Sequence, residues 1–176
     1  MVSDTNTPQG LLEQIQEIRT DGSLQRGTKD CGHFDMHITR DGTWHYRGSP
    51  IGRKSIVKLF STVLKLDSEG QYWLETPVER GRIDVEDVPF TAVELDVTGQ
   101  GRNQRLIFRT NLDEVVTAGP EHSLRVAFDE SSGEPSPYVH LRDGLEALLT
   151  RAVYYQLAEL TVDNPDTGLL GVWSDG

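Results

Sequence analysis

One cysteine, Cys31, stands in a chain of 176 residues, so no internal disulfide can form. Lysine is nearly as sparse, at four residues. No apolar run approaches the roughly 20 residues that a membrane-spanning helix needs. The start, Met1-Val2-Ser3-Asp4-Thr5-Asn6, lacks the basic residues and apolar core of a signal peptide. These absences predict a soluble, cytoplasmic protein without membrane insertion. Positive charge is also short: 17 Lys and Arg against 28 Asp and Glu leave a net charge of −11. Such a surface repels phosphate backbones, which argues against general nucleic-acid binding. What is present fits a globular chain, with 36% hydrophobic and 26% charged residues. Seventeen glycines and eight prolines favour many short elements over long helices. The length suits one ordinary domain or two small ones. Cys31 has Lys29 and His33 close by in sequence, as an activated thiol would, but an isolated cysteine is more commonly a small packing residue.

The scarce positive charge is unevenly spread. Between Cys31 and Leu66 lie Arg40, Arg47, Arg53, Lys54, Lys58 and Lys65, opposed only by Asp35 and Asp41. Ser49-Pro50 reads as a cap and first-turn proline of a helix, where unpaired N–H groups and the helix dipole favour an anion. Arginine's planar fork suits phosphate or carboxylate, and a serine hydroxyl donates or caps. Arg47, Ser49 and Arg53 are therefore anion-binding candidates. Lys54 and Lys58, one turn apart, read as a solvated helix face.

Periodicity predicts the rest. Thr7-Pro8 opens a helix whose Leu11, Leu12, Ile15 and Ile18 share a face. Asp21 to Asp30 reads as a loop. Phe34 to Ile38 alternates as a strand and turns at Thr39-Arg40-Asp41-Gly42-Thr43. A three-residue loop with Gly42 as a left-handed bulge places Phe34, Met36 and Ile38 on one face with Trp44 and Tyr46. Asp35 then lies opposite Arg47, and His37 opposite His45. Ile56, Leu59, Phe60, Val63 and Leu64 form a helical stripe ending at Asp67-Ser68-Glu69-Gly70. Gln71 to Glu75 is a short strand, and Thr76-Pro77 marks a boundary between an N-terminal α+β domain (1–76) and a C-terminal domain of antiparallel sheet plus helix (77–176). Strands follow at Arg82 to Glu86, Thr91 to Thr98, Arg105 to Thr110, Leu124 to Phe128 and Tyr138 to Leu141. Val93, Leu95 and Val97 share a face; Glu94 and Asp96 share one with Arg105 and Arg109. Asp143-Gly144-Leu145-Glu146 reads as a capping-box variant opening a last helix with Leu145, Leu148, Leu149, Ala152, Val153 and Leu157 inward. Each half thus carries a hairpin and an amphipathic helix, a weak pattern of internal duplication without a repeated residue motif.

Six stretches carry a resemblance. They are Asp41-Gly42-Thr43-Trp44, Gly48-Ser49-Pro50-Ile51, Val57-Lys58-Leu59-Phe60, Val85-Glu86-Asp87-Val88-Pro89-Phe90, Pro137-Tyr138 and Arg142-Asp143-Gly144-Leu145-Glu146-Ala147. Together they run over nearly the whole chain, which resembles the proteobacterial domain-of-unknown-function family 1285. The resemblance implies two small α+β domains with a related core motif, the second superficially like a pleckstrin-homology fold. It also implies an interdomain cleft for a nucleotide-like molecule and a role in signalling. Family members continue a little beyond Gly171-Val172-Trp173-Ser174, which implies a final short strand that this chain lacks.

Arg109, Asn111, His122, Tyr138 and Arg142 in the second half are the natural opposing wall of such a cleft, with arginine meeting the anion and Tyr138 stacking on a base. The plainer alternative has Arg109 satisfied by Glu94, Asn111 in a turn and Tyr138 in the core. His33, His37, His45 and Asp35 have ligand chemistry suited to zinc, but histidines on a solvated sheet face are commoner and His33 lies too far along its strand. Glu79, Asp84, Glu86 and Asp87 fit a charge-alternating edge strand. No catalytic triad order, Gly-x-Ser-x-Gly elbow or P-loop occurs, and Gly99-Gln100-Gly101 leads into a strand where a dinucleotide loop opens a helix. The expectation is a non-catalytic binding or sensory protein for an anionic, nucleotide-like small molecule, with no cofactor and no metal. The alternatives are an enzyme acting on a phosphorylated small molecule, with His122 or His37 as acid or base, and a protein-interaction module that uses a sheet edge.

Overall fold

A computed structural model of the chain describes residues 8–18 and 28–176. Thr7, most of the loop expected from Asp21 to Asp30 and the side chain of Ile18 lie outside the described residues. The chain divides into two compact units after Asp87. In the first, α1 (Pro8–Ile18), β1 (Lys29–Ile38), β2 (Trp44–Tyr46), β3 (Ser49–Pro50), α2 (Lys54–Ser61), β4 (Leu64–Leu66), β5 (Tyr72–Glu75) and β6 (Glu79–Val85) follow one another. In the second come β7 (Phe90–Thr98), β8 (Arg105–Thr110), β9 (Val115–Thr117), β10 (Leu124–Phe128), β11 (Pro135–Arg142), β12 (Leu145–Leu149), α3 (Arg151–Ala158) and a small hairpin, β13 (Val162–Asp163) with β14 (Leu170–Gly171). The class is α+β, as expected.

The first sheet has strand order β3-β2-β1-β6-β5-β4, and the second β10-β11-β12-β7-β8-β9. Read from its far edge, the second repeats the first: third strand, second, first, sixth, fifth, fourth. In both, the first and sixth strands pair in parallel and all other neighbours are antiparallel. The duplication seen only as a pattern in the sequence is therefore one of topology. The two six-stranded units are similar, and the fold includes a sheet curled into a half-barrel.

The β1–β2 hairpin keeps the register argued from its apolar face: Met36 pairs with Tyr46, His37 with His45 and Ile38 with Trp44. Gly42 takes a φ of 83° in the loop. Phe34, Met36, Ile38 and Trp44 are consequently buried, together with Leu74 and Ile83 from the neighbouring strands. Val57 and Phe60 of α2 close on this face, Phe60 stacking on Trp44 at 6.3 Å between centroids. Burying a phenylalanine of this kind contributes about 2–3 kcal/mol. In the second unit, Phe90, Leu95, Leu106, Phe108, Val139, Leu145, Ala147 and Leu149 form the sheet side of the core, and α3 adds Val153 and Leu157.

Several expectations are corrected. Ser49 does not cap a helix: Ser49-Pro50 is strand β3, and α2 begins at Lys54 with Arg53 as a cap residue making no side-chain cap bond. The expected stripe through Leu64 is cut because α2 ends at Ser61 and Leu64 turns into β4. Asp67 to Gly70 closes the β4–β5 turn instead, with Asp67 Oδ1 accepting the Glu69 and Gln71 N–H groups. The first unit runs past the boundary expected after Thr76, because β6 is held between β1 and β5. β6 is thus a central strand, and Glu79 at its start is buried, unlike a residue of a charged edge.

In the second unit a bulge between Ala92 and Glu94 breaks the expected Val93, Leu95, Val97 face. Ala92 and Leu95 are buried, whereas Val93 is exposed. Asp143 and Gly144 do not open a helix. Bracketed by the Arg142–Leu145 pair, with φ of 48° and 77°, they form the primed two-residue turn of a β-hairpin. Leu145, Ala147 and Leu149 then alternate inward as a strand, and the helix waits until Arg151.

Candidate functional site

The sequence-predicted residues fall into two groups with different fates. Arg47, Ser49 and Arg53 are each exposed in the first unit. Arg47 and Gly48 form the turn between β2 and β3, bracketed by the Tyr46–Ser49 pair, with φ of 48° and 80°. This is again the primed two-residue geometry, whose first central position prefers Asn, Asp or Gly. An arginine there holds a left-handed backbone that costs a non-glycine residue about 1 kcal/mol or more. Its guanidinium sits 5.2 Å from the Tyr46 ring centroid, and its N–H donates to the Asp35 carbonyl at 3.0 Å. Ser49 is exposed on β3. Arg53 precedes α2, whose first turn contains no acidic residue. Among the described residues, neither Arg47 nor Arg53 has a carboxylate partner.

The second group is internally satisfied. Arg109 pairs with Glu94 across β7–β8 and reaches Asp113 at 3.4 Å. Asn111 Oδ1 accepts the Thr91 N–H at 3.1 Å, pinning the β8–β9 turn to the start of β7. Arg142 meets Glu114 of the same turn at 3.4 Å, with its guanidinium 6.0 Å from the Phe90 ring centroid. Tyr138 is 5% exposed, and the Arg125 guanidinium, held by Glu146 at 2.7 and 2.5 Å, lies 4.0 Å from its ring centroid. The ring offers no open face for a base to stack on. The plainer alternative describes Arg109, Asn111 and Tyr138 in this structure.

His122 places Nδ1 at 3.1 Å from the His140 carbonyl, to which it donates. His140 in turn donates from Nδ1 to the Glu121 carbonyl at 2.9 Å and accepts the Gly144 N–H at Nε2. Both imidazoles are thus engaged by backbone, and among the described residues no acid orients His122 as a base. His37 does meet an acid, Glu86, at 3.1 Å, and His33 meets Asp84 at 3.1 Å. These pairs lie on an open sheet face, with the His37 and Glu86 side chains 43% and 47% exposed, where water screens acid–base chemistry. His37 and His45 face each other at 5.9 Å between centroids, yet no group of His, Cys, Asp and Glu suited to a metal occurs among the described residues.

Two features went unread in the sequence. Glu79 is buried and accepts from Gln14 Nε2 at 2.8 Å and Cys31 Sγ at 3.4 Å, so Cys31 belongs to a structural network. Burial, then the hydrogen bond to Glu79, pushes the Cys31 thiol up from its ordinary value, the opposite of activation. Arg80 and Arg82 flank Trp73 at 4.6 and 5.8 Å from its centroid. The i, i+2 spacing of the two arginines on a strand was the available signal, but their aromatic neighbour comes from β5.

The model of the DUF1285 protein of unknown function, C-terminal domain, matches residues 89–176, and that of the N-terminal domain matches residues 27–88. The chain belongs to the DUF1285 family. A crystal structure of a DUF1285 family protein from Silicibacter pomeroyi DSS-3 is 43% identical, covers 95% of this chain and 91% of its own, and superposes with a TM-score of 0.82. A second, from Shewanella baltica OS155, is 26% identical over 71% of this chain and 91% of its own, with a TM-score of 0.55. No curated protein matches the chain. The two family models meet between residues 88 and 89, one residue past the division of the compact units after Asp87.

Proposed function

We propose that this DUF1285 protein is a non-catalytic binding or sensory protein of the bacterial cytoplasm. It takes an anionic, nucleotide-like small molecule, contributes to signalling, and contacts the anion through Arg47 and Arg53. One observation carries this reading. In a chain of net charge −11, whose other candidate arginines are engaged by carboxylates, these two are exposed and have no such partner among the described residues. Arg47 also holds a left-handed backbone that a smaller residue would adopt at lower cost, and strain of this sort is retained where the side chain is needed. The engagement of Arg109 and Arg142 narrows the reading to the first unit.

The test is a thermal-shift screen of inorganic phosphate, pyrophosphate and nucleoside mono- and diphosphates on the wild type and on the R47A/R53A variant. A ligand at 100 times its Kd stabilises by about 2.7 kcal/mol, and roughly 2–4 °C accompany each kcal/mol in a chain of this size. A shift of about 5–10 °C in the wild type, absent in the variant, is expected. No shift with any anion, or an equal shift in both proteins, overturns the proposal.

A further inference from the structure

We infer that β10 is a self-association edge, on which a second copy of this chain adds its own β10 antiparallel about a two-fold axis through Val126. The inference does not depend on the anion reading. Strand edges offer unpaired N–H and C=O groups and are ordinarily blunted by shortness, proline or lysine. Three of the four edges of the two six-stranded sheets are blunted. β3 is two residues long and contains Pro50; β4 is three residues long and carries Lys65; β9 is three residues long, and Ser174 Oγ donates to the Ala118 carbonyl just beyond it. β10 has five residues and contains neither proline nor lysine. The topological repeat makes β4 its counterpart in the first unit, so the same edge is protected in one sheet and open in the other.

The open groups can be identified. The His140 N–H donates to the Ser123 carbonyl, and Leu124 pairs with Val139. In an antiparallel ladder, hydrogen-bonded and non-bonded pairs alternate. Ser123, Arg125 and Ala127 therefore bond inward to β11, while the backbone groups of Leu124, Val126 and Phe128 point away from it. Their partners agree, because Pro137 opposite Val126 and Pro135 opposite Phe128 have no N–H to give.

Pairing about Val126 then joins like with like. Val126 meets its own copy, and Leu124 of each chain meets Phe128 of the other, in the alternate pairs whose backbone groups are free. Val126 and Phe128 are 48% and 67% exposed, although they project from the sheet face that buries Val139 and Ala147, so a second strand extends that apolar face. On the opposite face, Asp129 falls diagonally across from Arg125 of the other copy, placing opposite charges near each other although Glu146 already holds that guanidinium. A two-fold interface requires this kind of self-complementarity.

Sedimentation velocity on the full chain, over roughly 1–200 µM, tests the inference. The wild type is expected to show a concentration-dependent monomer–dimer equilibrium. Val126→Pro removes an outward N–H without touching the β11 ladder, and Phe128→Lys places a charge opposite Leu124 of the partner at a site already exposed. Each is expected to weaken the dimer more than about tenfold while leaving the far-UV spectrum unchanged. If the proline variant fails to fold, the lysine variant carries the test. In a Cys31→Ser background, Val126→Cys is expected to form an intermolecular disulfide, since residues opposed in a hydrogen-bonded pair lie about 5.5 Å apart. A wild type that stays monomeric throughout, a dimer that withstands Phe128→Lys, or a dimer without the Val126→Cys crosslink overturns it.

Discussion

Gly81→Ala is a one-carbon test of how the first sheet is packed. Gly81 lies in β6 between β1 and β5, opposite Leu74, and its backbone φ is ordinary, so its role is spatial and not conformational. A Cβ built there would stand 2.5 Å from Phe34 Cδ2 and 2.6 Å from Phe34 Cε2 and Cγ. Carbon atoms rest about 3.5–4.0 Å apart, so more than about 1 Å of overlap must be relieved at three atoms. Phe34 is 2% exposed, and β6 is held on both sides, which leaves only a tilt of the ring or a spread of the strands. Overpacking of this kind costs about 1–3 kcal/mol, and the rigidity of the site places the cost toward the upper end. Urea unfolding followed by tryptophan fluorescence reads it, with Trp44 buried on the same sheet. At an ordinary m-value the midpoint falls by about 1 M. Phe34→Leu should restore part of the loss in the double variant, giving a coupling of about 1 kcal/mol. A Gly81→Ala protein within about 0.5 kcal/mol of wild type, or strictly additive single variants, would refute the packing described.

Other expectations follow from the same reasoning. Arg47→Asn relieves about 1 kcal/mol of left-handed strain and forfeits about 0.5 kcal/mol of exposed cation–π contact. Urea unfolding should therefore show a gain of about 0.5 kcal/mol, alongside lost anion response. Gly144→Val forces a branched side chain into a φ of 77° and should lower stability by about 1–2 kcal/mol; a neutral result would mean that the segment is not a hairpin turn. Cys31 should alkylate at pH 8 several-fold more slowly than a free thiol, because burial and Glu79 keep it protonated; equal rates contradict that. On the acid side, the Asp67 carboxyl is held low by the Gln71 N–H and Trp73 Nε1–H, and that of Asp129 by the Ser131 hydroxyl and the Ser131 and Ser132 N–H groups. A lowered folded value adds stability above the ordinary carboxylate range, and that stability is lost as pH falls through the lowered value. Thermal unfolding should therefore decline below about pH 4, and Asp67→Asn should flatten that decline.

Local pattern carried much of the fold. The β1–β2 register followed from asking which loop length gives one apolar face, and the strands from Thr91, Arg105, Leu124 and Tyr138 each rest on alternation over several residues. The short strands β3, β4 and β9 hold two or three residues and are too brief to show a period. Leu145, Leu148 and Leu149 fit a helix while Leu145, Ala147 and Leu149 fit a strand. The Asp143-Gly144 pair, a strong hairpin signal, was the evidence that separates the two. The bulge at Ala92–Glu94 leaves no such mark. At the candidate site, Arg109 opposite Glu94 was legible as a cross-strand pair. The Arg142–Glu114 and Arg125–Glu146 pairs join residues far apart in sequence, which no local pattern brings together.

In the proposed function, anion recognition rests on Arg47 and Arg53 of the first unit and not on the arginines of the second. Isothermal titration of the most stabilising anion into three proteins tests it directly: wild type, R47A/R53A, and R109Q/R142Q. R47A/R53A should lose more than about tenfold in affinity, and R109Q/R142Q should stay within about twofold of the wild type. Binding abolished by R109Q/R142Q and kept by R47A/R53A would contradict it.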